Sequence, residues 1–277
     1  MDIKASDVKA LREKTGAGMM ECKKALVESN GDAVAAEKLL KERGLAAAAK
    51  RAERATSEGR LFMRQENNKI YVVEMTCETD FVAKNADFIA LGEKMLDVTI
   101  AKGYTKVEEE HNKMLEDLKV SIRENMNVSK VAVIDVPAGS TGSFYIHSDK
   151  KTGSVVVING SDAEAVKTFA YDCCLHIAAF TPAYIKAEDV PQSYLDEQKE
   201  IFEAQMKEDP AMAAKPDNVK AGILQGKIKK HLAEICFVDQ AFVKDDKVTV
   251  AKKLEQIGKE VGATLSFNKA ELFILGK

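Results

Sequence analysis

The chain has 277 residues, which at about 150 per domain predicts two folded units with a small appendage. Its 41 Lys plus Arg against 44 Asp plus Glu leave a net charge of -3, which argues against whole-molecule attraction to phosphate backbones or anionic lipid. At 45% hydrophobic and 31% charged, it carries enough apolar mass for a core and too little low-complexity sequence for disorder.

Met1 to Lys14 interleaves charges with single apolar residues and lacks an apolar run of roughly seven, so a secretory leader is not expected. No stretch approaches the roughly 18 apolar residues of a membrane helix. Cys22, Cys77, Cys173, Cys174 and Cys236 are scattered without a Cys-x-x-Cys, which fits a reducing cytoplasm better than a disulfide framework.

Glycine stops divide the N-terminal residues into three short helices. Ser6 to Lys14 is the first, and Met19 to Ser29, with Met19, Cys22 and Leu26 at helical spacing, is the second. Asp32 caps a third that is expected to end before Gly44. Leu45 to Arg60, Ala-rich and then basic, reads as a linker. From Leu61 the period changes to two, which predicts a hairpin of Leu61 to Gln65 and Ile70 to Cys77 around Asn67-Asn68. A helix follows from about Asn85, with Phe88, Leu91 and Met95 on its stripe. Thr105-x-x-Glu108 then predicts a capping box opening another helix through Arg123.

In the second half, Val131 to Val136, Ser143 to His147 and Ser154 to Ile158 alternate and predict an antiparallel meander. Ser161-x-x-Glu164 opens a helix whose Val166, Phe169, Ala170, Cys173, Cys174 and Ile177 make a regular apolar stripe. Between Pro191 and Leu232 two narrow stripes flank a bend at Asp209 to Asp217, which predicts an antiparallel, coiled-coil-like helical hairpin. Thr249 caps a further helix, and Ala263 to Phe267 and Glu271 to Leu275 read as closing strands. The fold class is therefore α+β. The expected domains are a three-helix module with linker (1–54), a core N-subdomain (55–140), a core C-subdomain (141–180 with 233–277) and the inserted hairpin (181–232).

No phosphate loop, nucleophile elbow or His-Glu-x-x-His is present, and Gly16-Ala17-Gly18 lacks the third glycine and preceding strand of a dinucleotide loop. No cofactor, metal or nucleotide bound by this chain is expected. Cys173, Cys174 and His176 form the one cluster that invites a thiol or metal reading, but both cysteines lie within the apolar stripe and read as structural. His111, His147 and His231 stand alone, and His111 and His231 read as helix-surface residues.

Two segments are more specific. Leu11 to Leu26 (LREKTGAGMMECKKAL) and Glu74 to Lys84 (EMTCETDFVAK) closely resemble the two signature segments of bacterial elongation factor Ts. The order of parts resembles that family throughout, including a ubiquitin-associated-like N-terminal module and the segment Phe237 to Val243 (FVDQAFV). Thr76 in place of the usual Asn, Ala241 in place of a frequent Pro, and an end at Gly276-Lys277 without the extra helical module of some members are departures.

The resemblance implies a cytoplasmic guanine nucleotide exchange factor that forms a heterodimer with elongation factor Tu and acts by binding, with no covalent chemistry, no nucleic acid and no membrane. It implies that Thr79, Asp80, Phe81 and Val82 contact the GTPase near its magnesium site, with Asp80 and Phe81 presented as a wedge. By spacing alone, Phe81 packs under the first turn of a helix and Asp80 caps it. Arg12, Met19, Met20 and Lys23 resemble the family's contact with a helix of the GTPase domain, although Met19 shares the Cys22 and Leu26 face and is equally compatible with core. Met126, His147 and Phe237 match further family contacts. His147 is expected to point away from the core because it shares the face of Tyr145, opposite Phe144 and Ile146. A rival class is a passive adaptor or chaperone-like module whose N-terminal bundle captures a helix or a ubiquitin-like surface.

Overall fold

The computed structural model describes residues 3–277, so the first two residues of the N-terminal stretch lie outside the described residues. The chain forms two compact units. One holds residues up to Ile134 together with Ser148–Thr152 and Phe273–Lys277, and the other holds Asp135–His147 and Gly153–Leu272.

In the first unit, α1 (Ala5–Thr15), α2 (Met19–Glu28) and α3 (Ala33–Arg51) share a core of Val8, Leu11, Cys22, Ala25, Leu26, Ala36 and Leu40. Gly16 ends α1 in the left-handed conformation, and the Asp32 carboxylate accepts from the Val34 and Ala35 amides to start α3. The third helix does not end before Gly44, and much of the expected linker is helical. Gly44 serves a close approach instead: a Cβ there would collide with Val120 of α6 (Glu109–Ile122).

β1 (Glu58–Glu66) and β2 (Lys69–Cys77) pair antiparallel across Asn67 and Asn68, both at positive φ. After α4 (Asp80–Ala83), α5 (Ala86–Lys102) begins under an Asn85 cap. It packs so tightly on the hairpin that a Cβ at Gly92 would strike the Phe62 ring. One face of the sheet, with Phe62, Tyr71, Val73, Met75 and Cys77, buries against Phe88, Met95, Leu96 and Leu115.

α6 starts later than the Thr105 box predicted. Glu108 is its N-cap, and the Glu108 amide donates to His111 Nδ1 at 3.0 Å. His111 is therefore no surface residue: it is fully buried, with Nε2 at 3.0 Å from Thr99 Oγ1.

β3 (Met126–Asp135) lies beside β2, in a sheet of order β1-β2-β3. The expected three-strand meander is thus corrected. The turn at Pro137 forms, but the strands on its two sides belong to different sheets. The same unit also takes in distant chain. The Leu61 amide donates to Lys150 O, the Leu275 amide to Lys151 O, and the Gly276 amide to the buried carboxylate of Glu74 at 3.1 Å. Lys130 Nζ donates to Lys277 O at 2.7 Å.

In the second unit, β4 (Thr141–Ile146) pairs antiparallel with β5 (Thr152–Asn159). α7 (Glu164–Phe180) packs Val166, Phe169, Cys173 and Ile177 into the core below them. α8 (Gln192–Glu208), a one-turn α9 (Pro210–Ala213) and α10 (Asp217–Ile235) follow. Tyr194, near the start of α8, meets His231, near the end of α10, with Tyr194 Oη 2.9 Å from His231 Nε2, so these helices run antiparallel. His231 is accordingly part of their seam and not a surface histidine. A small pair, β6 (Ala241–Phe242) and β7 (Asp245–Thr249), precedes α11 (Val250–Val261), which opens under a Thr249 cap. The two closing strands are one, β8 (Ser266–Ile274), beside β5.

Candidate functional site

The face of the first unit that the sequence singles out is the corner where β2 gives way to α4. Cys77 is buried and donates its thiol to Thr79 O at 3.2 Å, which bends the chain out of the sheet. Thr79 Oγ1 then accepts from the Val82 amide as the N-cap of α4. A single helical turn has no stability of its own. It is held here because Val82 and Ala83 sink into the core while Lys84 closes it.

The consequence is visible at the next positions. Phe81 lies 82% exposed, so it does not pack beneath the first turn. Asp80 is not the cap either: its carboxylate pairs with Lys84 Nζ at 2.6 Å, and that hydrogen bond holds the carboxyl below its usual range. Val82, expected among the contact residues, is 8% exposed and anchors the corner from inside.

Polar contacts fix this corner from behind. The two carboxylate oxygens of Glu124 accept from the Thr79 amide (3.0 Å) and the Thr79 hydroxyl (2.7 Å). In return Glu78 accepts from the Asn125 amide at 2.6 Å, and Asn125 Nδ2 donates to Ala52 O and Arg54 O. Glu124 and Asn125 escaped the sequence reading because their partners lie more than forty positions away and carry no periodic signal.

In the N-terminal bundle, the Gly18 amide donates to Glu21 Oε2 at 3.1 Å and starts α2. That bond, aided by Arg123, lowers the Glu21 carboxyl. Met19 and Met20 follow at 46% and 65% exposed, and Arg12 and Lys23 are also exposed. Met19 thus separates from Cys22 and Leu26, which are buried.

His147, in the second unit, is exposed, with Nδ1 3.0 Å from Tyr145 Oη. The expected reason was incorrect: Tyr145 packs on the core of that unit, so His147 reaches solvent because the strand has ended at Ile146. Met126 and Phe237, expected as contacts, are enclosed in the cores of their units and offer no surface. An apolar residue type at a strand start or after a helix does not say which side it faces.

All five cysteines are buried and free. Burial pushes the Cys77 and Cys174 thiols up to about 12 and Cys236 to about 11, with Cys173 driven higher as well. His176 bonds to Gln240 rather than to either neighbouring cysteine. Among the described residues no group of three or more His, Cys, Asp or Glu is placed to hold a metal ion, and no helix is long and apolar enough to cross a membrane.

Comparison with known proteins adds an independent finding. A family model described as elongation factor TS matches residues 78–271, beginning at the corner itself. The proteins named Elongation factor Ts from Treponema denticola and Treponema pallidum are 56% and 48% identical over 100% of this chain and 99% of their own. That from Borreliella burgdorferi is 37% identical over 99% of both chains.

Proposed function

We propose, from the premise that this chain belongs to the elongation factor Ts family, that it is the guanine nucleotide exchange factor for elongation factor Tu and works as a heterodimer with that GTPase in the cytoplasm. Exchange of this kind needs no covalent step. A protein that binds the nucleotide-free GTPase more tightly than the GDP form weakens GDP by the same factor.

The observation that carries the reading is Phe81, a large apolar side chain held 82% exposed on a corner anchored by buried Val82 and Ala83 and by the hydrogen bonds of Thr79 to Glu124. An anchored, exposed aromatic of this kind is suited to filling a pocket on a partner. Asp80 and Phe81 enter the GTPase near its magnesium site, and displacement of groups that orient the ion loosens its hold on the phosphates. Met20, Lys23, Arg12 and Met19 dock the ubiquitin-associated-like module of residues 1–54, for which methionine's adaptable surface is suited. His147 adds a contact from the C-subdomain (141–180 with 233–277), while residues 55–140 carry the wedge and 181–232 form the hairpin.

Release of a fluorescent GDP analogue from purified elongation factor Tu, chased with unlabelled GDP, tests this. Wild-type protein accelerates release by orders of magnitude, and Phe81→Ala loses most of that acceleration. No acceleration by the wild type would remove the exchange reading. Acceleration left intact by Phe81→Ala would keep exchange and remove the wedge.

A further inference from the structure

We infer that Glu124 is a positioning residue for exchange, setting the presentation of Phe81 by clamping Thr79 and linking that corner, through its neighbour Arg123, to the N-terminus of α2. The inference rests on the exchange reading above, and extends it to a residue outside both signature segments.

The geometry is specific. Glu124 uses both carboxylate oxygens on one residue, taking the backbone and hydroxyl protons of Thr79. Because the hydroxyl gives its single proton to Glu124, its lone pairs are left for the Val82 amide, and the cap of α4 is thereby oriented. Hydrogen bonds to an ionised acceptor are the stronger kind. Phe81 sits in the middle of the one turn so defined, and nothing on its exposed side holds it.

The adjacent residue supports the same assignment. Arg123 closes α6 at φ 68, a left-handed conformation that glycine adopts more readily. A strained non-glycine persists where its side chain is needed, and Arg123 pairs with Glu21, the residue whose carboxylate starts α2. That pair is half exposed and contributes little energy, so it sets direction while Glu124 carries the clamp. One dipeptide thus holds both signature segments: Met19 and Met20 on one arm, Asp80 and Phe81 on the other.

Two measurements test the inference. In the free protein, amide hydrogen exchange of Glu124→Ala compared with wild type reads the clamp without reference to any partner. Thr79 and Val82 amides exchange about tenfold faster while the amides of β1 and β2 stay as they were. No change, or a uniform rise across the sheet, overturns the positioning role. In GDP release from elongation factor Tu, Glu124→Ala lowers the plateau rate about tenfold with a smaller effect on half-saturation, and the loss vanishes in a Phe81→Ala background. Losses that multiply in the double variant overturn the route through Phe81. If Glu124→Ala does not fold, Thr79→Val and Thr79→Ser replace it: Val loses rate because it lacks the second donor, and Ser restores it. Equal rates for both count against the clamp. A wild-type protein that fails to accelerate release removes the exchange reading alone, and the amide comparison still decides the clamp.

Discussion

His176 donates its Nε2 proton to Oε1 of Gln240 over 2.8 Å, in a pocket walled by Phe180, Phe237 and Phe242. Its Nδ1 accepts from the Val243 amide, so the ring is held as the neutral tautomer. His111 repeats the arrangement in the first unit, accepting from Glu108 N at Nδ1 and donating to Thr99. Burial lowers both folded-state pKa values below 6.5. The unfolded chain therefore binds more protons just below pH 6.5, and stability rises with pH there. The contribution is complete above the unfolded value and is lost as pH falls from it toward the folded one. Thermal midpoints measured from about pH 7.5 down to about pH 5.5 should fall, and His176→Gln should flatten the fall. Equal slopes in variant and wild type would assign the dependence to other groups.

Phe81 and Val82 are neighbours with opposite duties. Phe81→Ala should change unfolding free energy by no more than about 0.5 kcal/mol, as at an exposed site, whereas Val82→Ala should cost about 1–3 kcal/mol. Urea midpoints of the two variants decide. A large loss for Phe81→Ala would mean that its side chain supports the fold.

Helix propensity alone says that Gly44→Ala stabilises α3 by about 1 kcal/mol. Packing says otherwise, because the new methyl meets Val120. Gly44→Ala should lower the denaturant midpoint, and Val120→Ala in the same chain should recover part of the loss. A stabilised single variant would sink the close-approach account.

Burial pushes the Cys77 and Cys174 thiols up to about 12 and the Cys236 thiol up to about 11. Alkylation at neutral pH should be slow for every cysteine in the native protein and rapid for all five once it is unfolded. One fast-reacting native thiol would reopen the cysteine-centred reading.

What the sequence revealed was local. The hairpin around Asn67-Asn68, the helix start near Asn85, the Thr249 cap and the stripe of α7 were legible because turn chemistry and periodicity act within a few residues. Where partners are remote the signal is missing. Gly44 resembles a stop until Val120 is brought beside it, and β3 resembles the first strand of a meander until it pairs with β2. The exposed corner was legible only through its likeness to a family signature, since spacing favoured Phe81 buried. Glu124, which organises that corner, has a carboxylate like many others on the surface until Thr79 is folded against it.

The tie between Gly276 and Glu74 spans 202 positions, and it bears on the order of events during synthesis. The first unit takes in Ser148–Thr152 and Phe273–Lys277, so the chain up to Ile134 leaves the ribosome before two segments of its own unit have been made. Its hairpin and helices can form early from local contacts, but the bond to Glu74 waits for Gly276 to emerge. The first unit is therefore completed only after most of the second has been made, although its own chain is made first.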